Sequence, residues 1–589
     1  MSLIVQKFGG TSVADSQKIL AAARKAIRAH QQGKQVVAVV SAMGKNTDVL
    51  VDLAHEITDR PSAREMDMLL STGEQVSVAL MAMAIHALGY EAISMTGAQI
   101  GIKTDSTHTK ARIQSISTER IRQALDEGKI VIAAGFQGID ENYNITTLGR
   151  GGSDTTAVAL AAVLRAEACE IYTDVDGVYT TDPRILPEAR MVPRVSYDEM
   201  LELASLGAGV MHSRSIEFAK KFSVPIHVRS SFADIPGTMI VAEPESPDQA
   251  VSGAALVKDE ARVTLVGAPD RPGASVTLFS MIAAKNIPVD MIVPNVGALG
   301  KADISFTVSR DDLPVTLEAV EAAAAELEAD GVSHDDSVAK VSVVGLGMAT
   351  QSGVAEKMFR ALADAGINIA MITTSEIKIS ALVARDQATL AMRTVHKAFN
   401  LECRPKSASD VAPPTAALAA SPVEVVAQLQ GMEDLAIRNI SLEHQARITM
   451  SDVPDTPGAA ADVFEHFAES GVVVDMIVQS IGQRGYADLT CTVPQPSLVQ
   501  SMLAAGEVSK KLGCGPVTNS PDMAKLSVSG VGMRSHAEVA LRMFSSLADA
   551  GINVEMISTS EVRVNVVVDG KHSDRAMKCL QQAFADALR

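Results

Sequence analysis

The sequence predicts an α/β domain at the N-terminus followed by four smaller α+β units. Three observations support this organisation. Several strand-like runs in the first 240 residues end in glycine-containing loops that open helical stretches, an order typical of largely parallel sheets. The second half of the chain repeats itself at a constant spacing. Segments rich in proline separate these parts.

Bulk composition limits the classes of partner. The chain has 589 residues, 47% of them hydrophobic, which is enough for several buried cores. Its formal net charge of −18 would repel a polyanion, so we expect no nucleic-acid partner. Any anionic ligand must therefore bind where a few cations and backbone N–H groups make the surface locally positive.

Apolar runs and cysteines indicate a cytoplasmic protein without a membrane partner. No run approaches the roughly 18 apolar residues that span a bilayer. The best candidates, Val78–Ile85 and Ala157–Leu164, are short and rich in alanine, and we expect them to be buried helix faces. Residues Met1–Phe8 lack the pattern of a signal peptide. The 5 cysteines form no C-x-x-C pair, which favours reduced thiols and argues against a zinc site.

The second half of the chain is a duplication. The loop Asp270–Gly273 recurs as Asp455–Gly458, and the run Val289–Val293 recurs as Val474–Val478. The separation is 185 positions (458 − 273), and it holds again for Leu362–Asn368 and its later copy. An ungapped offset over this distance indicates that the region from about 250 to 400 was copied to about 435 to 589.

Each copy contains two related units of about 70 to 80 residues. Phe279 and Ile287 recur 80 positions later as Phe359 and Ile367. A strand-like run leads through a glycine-containing loop into a helical stretch and back to strands. In the first unit we expect a strand at 262–266, a helix at 274–285, and strands at 289–293 and 304–308.

Two proline-containing segments mark boundaries. Residues Glu243–Asp248 contain two prolines, and Lys406–Ser421 are rich in Pro, Ala and Ser. We therefore expect four regions. They are an N-terminal domain at 1–245, a first pair of units at 250–400, a linker at 401–434 and a second pair of units at 435–589.

The first glycine loop follows directly on the first strand. Residues Ile4–Phe8 have the pattern of a strand and Val13–Ile27 that of a helix, so Gly9 and Gly10 join strand to helix. Glycines let the backbone approach a ligand, and a helix start offers N–H donors to phosphate. Lys7 adds a point charge for a phosphoryl group. The pattern differs from the Walker A motif.

Two further segments place polar residues beside this loop. Ser41 and Thr47 follow the second predicted strand, at the edge where open α/β sheets bind ligands. Glu74 lies in the run Leu70–Gln75, which we expect to precede a helix at Val76–Leu88. A glutamate there is either a ligand-binding carboxylate or a first-turn residue stabilised by the helix dipole.

A glycine-rich segment, Thr147–Thr156, forms the third anchor and opens a helix that we expect at Thr156–Arg165. Arg150 can clamp a carboxylate through two hydrogen bonds. Gly151, Gly152 and Ser153 can present N–H and hydroxyl donors, and Asp154 lies at or near the helix N-cap. A plain cap would explain Asp154 but not the Arg-Gly-Gly that precedes it.

These motifs resemble those of aspartate kinases, which belong to the amino acid kinase family. Lys7–Val13 match the K-F-G-G-T-S-V signature in full, Gly149–Thr156 match G-R-G-G-S-D-T-T, and Thr173–Arg184 match T-D-V-D-G-V-Y-T-x-D-P-R. The resemblance implies a largely parallel sheet between helical layers. It also implies transfer of the γ-phosphoryl group of ATP, with Mg²⁺, to the side-chain carboxylate of L-aspartate.

The resemblance implies roles for individual residues. Lys7 and Asp154 would be catalytic, with Asp154 organising Lys7 and the metal-bound phosphates, and no metal-ligating cluster is expected from the protein itself. The implied ATP-binding residues are Lys7, Gly9, Gly10, Ser41, Thr173, Asp174, Tyr179 and Arg184. The implied aspartate-binding residues are Thr47, Glu74, Arg150, Gly151, Gly152 and Ser153.

The repeated units resemble ACT domains, small ferredoxin-like folds that bind ligands, through the D-x-P-G loop and the A-G-I-N segment. The resemblance implies inhibition by lysine, threonine or both, and a homodimer or larger homo-oligomer. Gln479 follows the D-M-I-V strand of the second copy, where the first copy has Pro294. We therefore expect the more typical effector site around Asp455, Gly458, Ala460, Gln479, Asn553 and Val554. The counterparts elsewhere are Asp270, Gly273, Ser275, Asn368 and Ile369.

One segment departs from the family pattern. Many relatives carry G-A-K-V-L-H-P-R-S where this chain has Gly207–Ser215, so Gly209 replaces a lysine. A nucleotide contact at Gly209 is therefore not expected. We interpret His212 as a structural residue.

Two rival functions remain open from the sequence. One is an amino acid kinase fold acting on glutamate, carbamate or a nucleoside monophosphate, against which the two full motifs argue. The other is an amino-acid sensor with an inactive kinase domain. Intact Lys7, Arg150 and Asp154 argue against that sensor.

Overall fold

The structure is a computed structural model that describes residues 2–207, 209–296, 300–405, 435–481, 485–531, 533 and 538–588. The proline-rich stretch Lys406–Ser421, predicted to be a linker, lies outside these residues.

The N-terminal domain alternates strands and helices. Its strands are β1 Leu3–Phe8, β2 Gln35–Val40, β3 Ala92–Met95, β4 Ile102–Thr104, β5 Ile113–Ile116, β6 Ile130–Ala134, β7 Gln137–Ile139, β8 Ile145–Thr147, β9 Ala168–Thr173, β10 Arg194–Ser196, β11 Ile226–Ser230 and β12 Thr238–Val241. Its helices are α1 Ser16–Gln31, α2 Asn46–Ile57, α3 Ala63–Ala87, α4 Gly97–Ile100, α5 Glu119–Asp126, α6 Gly152–Leu164, α7 Tyr197–Ser205 and α8 Ser213–Phe222.

Eight of these strands form one sheet in the order β10-β12-β11-β9-β1-β2-β6-β3. Neighbouring strands run parallel except for β11 and β12. Alternate residues of β1 enter different cores: Leu3 and Val5 face one helical layer, and Ile4 and Phe8 face the other. The predicted fold class, a largely parallel sheet between helical layers, is thereby confirmed.

Three helix boundaries differ from the sequence prediction. Helix α1 begins at Ser16 because the Asp15 carboxylate caps it by accepting a hydrogen bond from the Lys18 N–H, and a 3₁₀ turn precedes it. Helix α6 begins at Gly152, four residues earlier than expected. Helix α3 begins at Ala63, so Leu70–Gln75 lie inside it.

Helix α3 is long and apolar enough to cross a membrane by length and composition alone. In this structure 56% of its most apolar stretch is buried inside the protein. It packs against α1, β3 and β6 and carries the buried side chains of Asp67 and Glu74. These contacts are those of a core helix, and they confirm the burial predicted for Val78–Ile85, in which Val78, Met81 and Ile85 are buried.

The tail begins after the N-terminal domain. Its strands are β13 Gly253–Val257, β14 Glu260–Pro269, β15 Asp290–Val296, β16 Lys301–Ser309, β17 Gly331–Asp335, β18 Val338–Val344, β19 Met371–Thr374, β20 Lys378–Ala384, β21 Ala436–Pro454, β22 Ile477–Ile481, β23 Tyr486–Pro494, β24 Val517–Val531, β25 Met556–Thr559 and β26 Arg563–Asp569. Its helices are α9 Ala274–Ala283, α10 Leu313–Leu327, α11 Val354–Asp364, α12 Ala388–Ala398, α13 Ala459–Glu469, α14 Leu498–Leu512, α15 Glu538–Asp549 and α16 Ser573–Ala583.

The strands of the tail group into the four predicted units, which we number 1 to 4 in chain order. Unit 1 has its own four-stranded sheet, β15-β16-β14-β17. Unit 2 takes its edge strand from β13, which precedes unit 1 and pairs with β18. Unit 1 is therefore inserted into unit 2, a connection that the repeat pattern did not reveal. The long strands β21 and β24 run through both unit 3 and unit 4.

The units pair across the duplication. Strand β19 of unit 2 hydrogen-bonds to β22 of unit 3, and Phe359 packs on Phe464 with ring centroids 5.6 Å apart. In the other pair, Phe279 of unit 1 packs on Phe544 of unit 4 at 6.2 Å. Two hydrophobic cores result, one shared by units 2 and 3 and one by units 1 and 4.

Candidate active site and effector sites

A cleft of about 1000 Å³ opens at the carboxyl ends of β1 and β2. This is the edge at which open parallel sheets bind ligands. Three loops that were singled out in the sequence line the cleft together: the glycine loop after β1, the loop after β2, and the Gly-rich segment before α6. The lining includes Lys7, Gly10, Ser41, Thr47, Glu74, Arg150, Gly151, Gly152, Ser153 and Asp154.

Lys7 and Asp154 form an ion pair at the base of the cleft, with Nζ 2.6 Å from Oδ1. Each side chain is only 12% exposed, so water screens the pair weakly. Lys7 comes from the end of β1, and Asp154 comes from the first turn of α6. The Asp154 carboxylate therefore fixes where the Lys7 ammonium lies.

Glycine is required at two positions in these loops by close packing. A Cβ on Gly10 would lie 2.9 Å from the carbonyl oxygen of Ala42. Gly151 has a φ of +71° and precedes the first helical residue of α6, and a Cβ there would lie 2.3 Å from the Cβ of His212. Residues Gly151 to Asp154, at the start of α6, line the cleft, and a helix N-terminus is a favourable place for an anion to bind.

Glu74 is buried in the middle of α3, with 3% of its surface exposed. Its Oε1 accepts a hydrogen bond from the Ala42 N–H at 3.0 Å, while Oε2 has no hydrogen-bond partner in the described chain. Burial raises the pKa of Glu74 to about 7. The mid-helix position excludes the first-turn interpretation. A buried carboxylate with one oxygen left unsatisfied at a cleft fits a site for a substrate cation.

The cleft is basic although the protein is acidic. Its walls carry Lys7, Lys110, Arg112, Arg150, Arg214 and Lys221 against Asp48, Glu74, Asp154 and Glu217. Four of the cations were not predicted. Lys110 and Arg112 lie in a loop before β5, and Arg214 and Lys221 lie on α8. No motif marks Lys110, Arg112 or Lys221, and no binding role was predicted for Arg214 within Gly207–Ser215, so only the fold brings these cations to the cleft.

The segment after β9 lies outside the cleft lining. Thr173 ends β9, whose Ile171 pairs with Lys7, so it reaches the same edge of the sheet one strand further along. Asp174 follows at once and accepts a hydrogen bond from the Thr173 hydroxyl. Arg184 is exposed and pairs with Asp182 at 2.7 Å.

The structure places three further positions that were discussed from the sequence, namely Tyr179, His212 and Gly209. The backbone of Tyr179 forms an isolated antiparallel β-bridge with that of Met191. His212 caps α8 by accepting a hydrogen bond from the Arg214 N–H, as its structural interpretation predicted. A Cβ on Gly209 would meet little but open space, since its nearest neighbour atom is 3.9 Å away.

The predicted effector residues fall into two separate places. Between units 2 and 3, the Asn368 amide donates to Asp455 Oδ1 at 2.7 Å, and Gln479 Nε2 donates to the carbonyl of Ile369 at 3.1 Å. These residues surround a small cavity of about 20 Å³. Its further lining includes Gly458 and Ala460.

Asn553 is not part of that cavity, and grouping it with Asp455 was wrong. Its amide donates to Asp270 Oδ1 of unit 1 at 2.7 Å. The reason is that unit 4 packs on unit 1 rather than on unit 3. Beside this contact, Gly273 precedes α9 with a φ of +98°, Ser275 lies in the first turn, and Val554 packs against the shared core.

Comparison with known proteins identifies the family. A family model described as the amino acid kinase family matches residues 2–230, and one described as the ACT domain matches residues 341–399 and 526–584. The aspartate kinase of Pseudomonas putida is 51% identical over 404 residues, which are 68% of this chain and 98% of that protein. The chain belongs to the aspartate kinase family. An aspartokinase of Geobacillus stearothermophilus is 52% identical over 402 residues, again 68% of this chain and 98% of that protein.

Solved aspartate kinase structures agree in fold. That of Synechocystis is 41% identical with a TM-score of 0.53, covering 100% of this chain and 98% of that one. That of E. coli aspartokinase III in complex with aspartate and ADP is 25% identical with a TM-score of 0.56, covering 67% of this chain and 99% of that one. As a family member, the protein is a kinase whose phosphoryl acceptor is a carboxyl group, and it carries ACT domains.

Proposed function

We propose that the protein transfers the γ-phosphoryl group of ATP to the side-chain carboxylate of L-aspartate, giving ADP and 4-phospho-L-aspartate. The Lys7–Asp154 ion pair at the base of a basic cleft carries this proposal. The names of the relatives support aspartate as the acceptor, and the E. coli enzyme was crystallised with aspartate and ADP. The reaction would begin the synthesis of lysine, threonine, methionine and isoleucine.

The chemistry requires no general base. A carboxylate with a pKa near 4 is already ionised at pH 7, so the nucleophile is ready. The barrier comes from bringing two anions together, and the site must orient them and neutralise their charge. Lys7 supplies a fixed cation for the phosphoryl group, and Asp154 holds that cation in place. The N–H groups at the start of α6 add donors for oxygen atoms that gain charge.

Mg²⁺ fits this site as part of the nucleotide. Among the residues that the structure describes, no three His, Cys, Asp or Glu side chains converge to hold a metal. That composition suits an ion carried mainly by phosphate oxygens and water, with at most Asp154 contributing from the protein. When bound, Mg²⁺ supplies positive charge on the phosphates.

Two residues would orient the amino acid. Glu74 presents an unpaired carboxylate oxygen, which suits the α-ammonium group. Arg150 lines the same cleft from the Gly-rich loop, and its guanidinium group suits the negatively charged α-carboxylate. Thr47, at the start of α2, lines the same cleft. With the α-ammonium and α-carboxylate groups of the aspartate both held, its side-chain carboxylate is free to face Lys7.

The ACT units would regulate this activity in response to lysine, threonine or both. The cavity between units 2 and 3 supports this part of the proposal, because the buried Gln479 Oε1 there has no hydrogen-bond partner among the residues that the structure describes. The E. coli relative has also been crystallised with lysine and aspartate. We further propose a homodimer or larger assembly that acts in the cytoplasm, where the 5 free cysteines would stay reduced.

The experiment that tests the proposal is ATP turnover by the purified protein with L-aspartate, with the acyl phosphate trapped by hydroxylamine. Aspartate-dependent turnover that falls on adding lysine plus threonine is the expected result. Turnover without inhibition would support the kinase activity and contradict the proposal that lysine and threonine are effectors. A folded sample without turnover would favour an amino-acid sensor with an inactive kinase domain, or another carboxylate substrate.

A further inference from the structure

Asp67 is a fully buried carboxylate, and two of its three partners named below, Thr109 and Thr147, line the cleft. Its side chain has 0% exposure and lies on α3. It lies 2.7 Å from His108 Nδ1, accepts the Thr109 N–H at 3.0 Å, and accepts the Thr147 hydroxyl at 2.5 Å. A buried carboxylate is costly unless it is hydrogen-bonded, so these contacts hold the loop before β5 firmly against β8 and α3.

The loop that Asp67 holds is strained. Thr109 has a φ of +67°, a backbone conformation that a β-branched residue rarely adopts. Its carbonyl oxygen lies 2.9 Å from where a Cβ of Gly149 would be, so the loop packs directly on the Gly-rich segment. The Ala111 N–H adds a hydrogen bond to the Thr147 carbonyl at 2.9 Å. Strain maintained by several contacts is typical of functional loops.

The next residue of this loop is Lys110, an exposed cation on the wall of the cleft. Its Cα and Cγ each lie 3.8 Å from the position that a Cβ on Gly149 would occupy, and Gly149 precedes Arg150 in the chain. Within the described part of the chain, Lys110 has no carboxylate partner within 4.0 Å. A cation held beside Arg150 without a protein counter-ion is suited to a carboxylate of the ligand.

We propose that Lys110 contacts the α-carboxylate of the amino acid substrate and that Asp67 is the positioning residue that fixes Lys110 there. The inference rests on the proposed function, because it assigns the Arg150 end of the cleft to the α-carboxylate. The acceptor carboxylate faces Lys7 at the other end. Asp67 itself does not contact substrate and acts only through the loop.

Steady-state kinetics of Lys110→Ala, Asp67→Asn and the double variant test the proposal. We expect Lys110→Ala to raise the KM for aspartate about tenfold, with kcat within about threefold of wild type and the KM for ATP unchanged. Asp67→Asn should raise the same parameter. The double variant should lie within about twofold of Lys110→Ala, because both changes remove one contact. Lys103→Ala, an exposed lysine on β4, is the matched control and should behave as wild type.

The outcomes separate the two levels of the argument. Wild-type protein without aspartate-dependent turnover would overturn the proposed function. Wild-type turnover with an unchanged KM in Lys110→Ala would overturn the inference alone. If the increase in the KM for aspartate in the double variant equalled the product of the two single-variant increases, Asp67 would not act through Lys110. If Asp67→Asn fails to fold, Thr147→Val removes a single partner of Asp67 and should produce a smaller rise in the same KM.

Discussion

The unusual ionisation of Glu74 makes aspartate affinity depend on pH near neutrality. Burial raises the pKa of this carboxyl to about 7 in the protein without substrate. An ammonium group that binds Glu74 needs the ionised form. The affinity for aspartate should therefore increase as the pH rises through 7 and level off above it.

The size of the effect follows from the fraction of ionised Glu74. With a pKa of about 7, about one-eleventh of the protein is ionised at pH 6 and about ten-elevenths at pH 8. An apparent dissociation constant is divided by the competent fraction, so aspartate should bind about tenfold more tightly at pH 8 than at pH 6. In Glu74→Gln this dependence should disappear, and binding should be weak at both pH values.

Titration calorimetry with L-aspartate in the absence of nucleotide measures this dependence directly, because ATP has its own titrating phosphate. Neither the ammonium nor the side-chain carboxylate of aspartate changes its charge between pH 6 and pH 8. Asp126→Asn, on the surface helix α5, controls for general changes in charge. A wild-type affinity that is flat across this range, or an equal slope in Glu74→Gln, would refute the role given to Glu74.

The same raised pKa predicts a second observable in the same variant. A carboxyl whose pKa is higher in the folded than in the unfolded protein favours folding at low pH, and this contribution is lost as the pH rises through 7. From 4.5 to about 7 the loss is about 3 kcal/mol. Without substrate, Glu74→Gln should therefore be more stable than wild type at pH 8 and show no such gain at pH 4, measured by denaturant unfolding.

Three further perturbations test the catalytic and regulatory parts of the account. Lys7→Ala should lower kcat at least 100-fold with an unchanged circular dichroism spectrum, whereas the surface change Lys129→Ala should not alter kcat. Gln479→Ala should raise the concentration of amino acid effector needed for half-inhibition about tenfold, because the buried Oε1 is lost; unchanged inhibition would show that the cavity between units 2 and 3 is not the effector site. Lys378 and Glu202 form a buried ion pair at 3.1 Å that joins unit 2 to α7 of the N-terminal domain. Neutralising both residues should weaken inhibition by the effector, while titration calorimetry should still detect effector binding.

The local motifs of the active site were predictable because each is a strand end followed by a glycine loop. The position of Glu74 within α3 was not, since Leu70–Gln75 were expected to precede a helix that begins at Val76. In the structure Gly73 allows α3 to approach Ala42, where a Cβ would lie only 2.8 Å from the Ala42 Cβ. That requirement comes from the tertiary packing of two segments about 30 residues apart, which no local pattern reports.

The pairing of the repeated units shows a second limit. The offset of 185 residues reveals two copies, and the spacing of 80 residues divides each copy into two units. Because the copies have the same sequence pattern, neither spacing distinguishes pairing of units within a copy from pairing across copies. The structure resolves this through contacts between distant residues, such as Asn553 with Asp270 and Asn368 with Asp455. The insertion of unit 1 into unit 2 through β13 was hidden for the same reason.

The central claim is that this cleft phosphorylates the carboxylate of L-aspartate. Phosphorus NMR of the protein with ATP and Mg²⁺ tests it most directly, with L-aspartate or L-glutamate as acceptor. The account predicts an acyl phosphate signal that appears with L-aspartate, is absent with L-glutamate, and disappears in Lys7→Ala. An equal signal with L-glutamate, or ATP hydrolysis to inorganic phosphate that ignores L-aspartate, would contradict it.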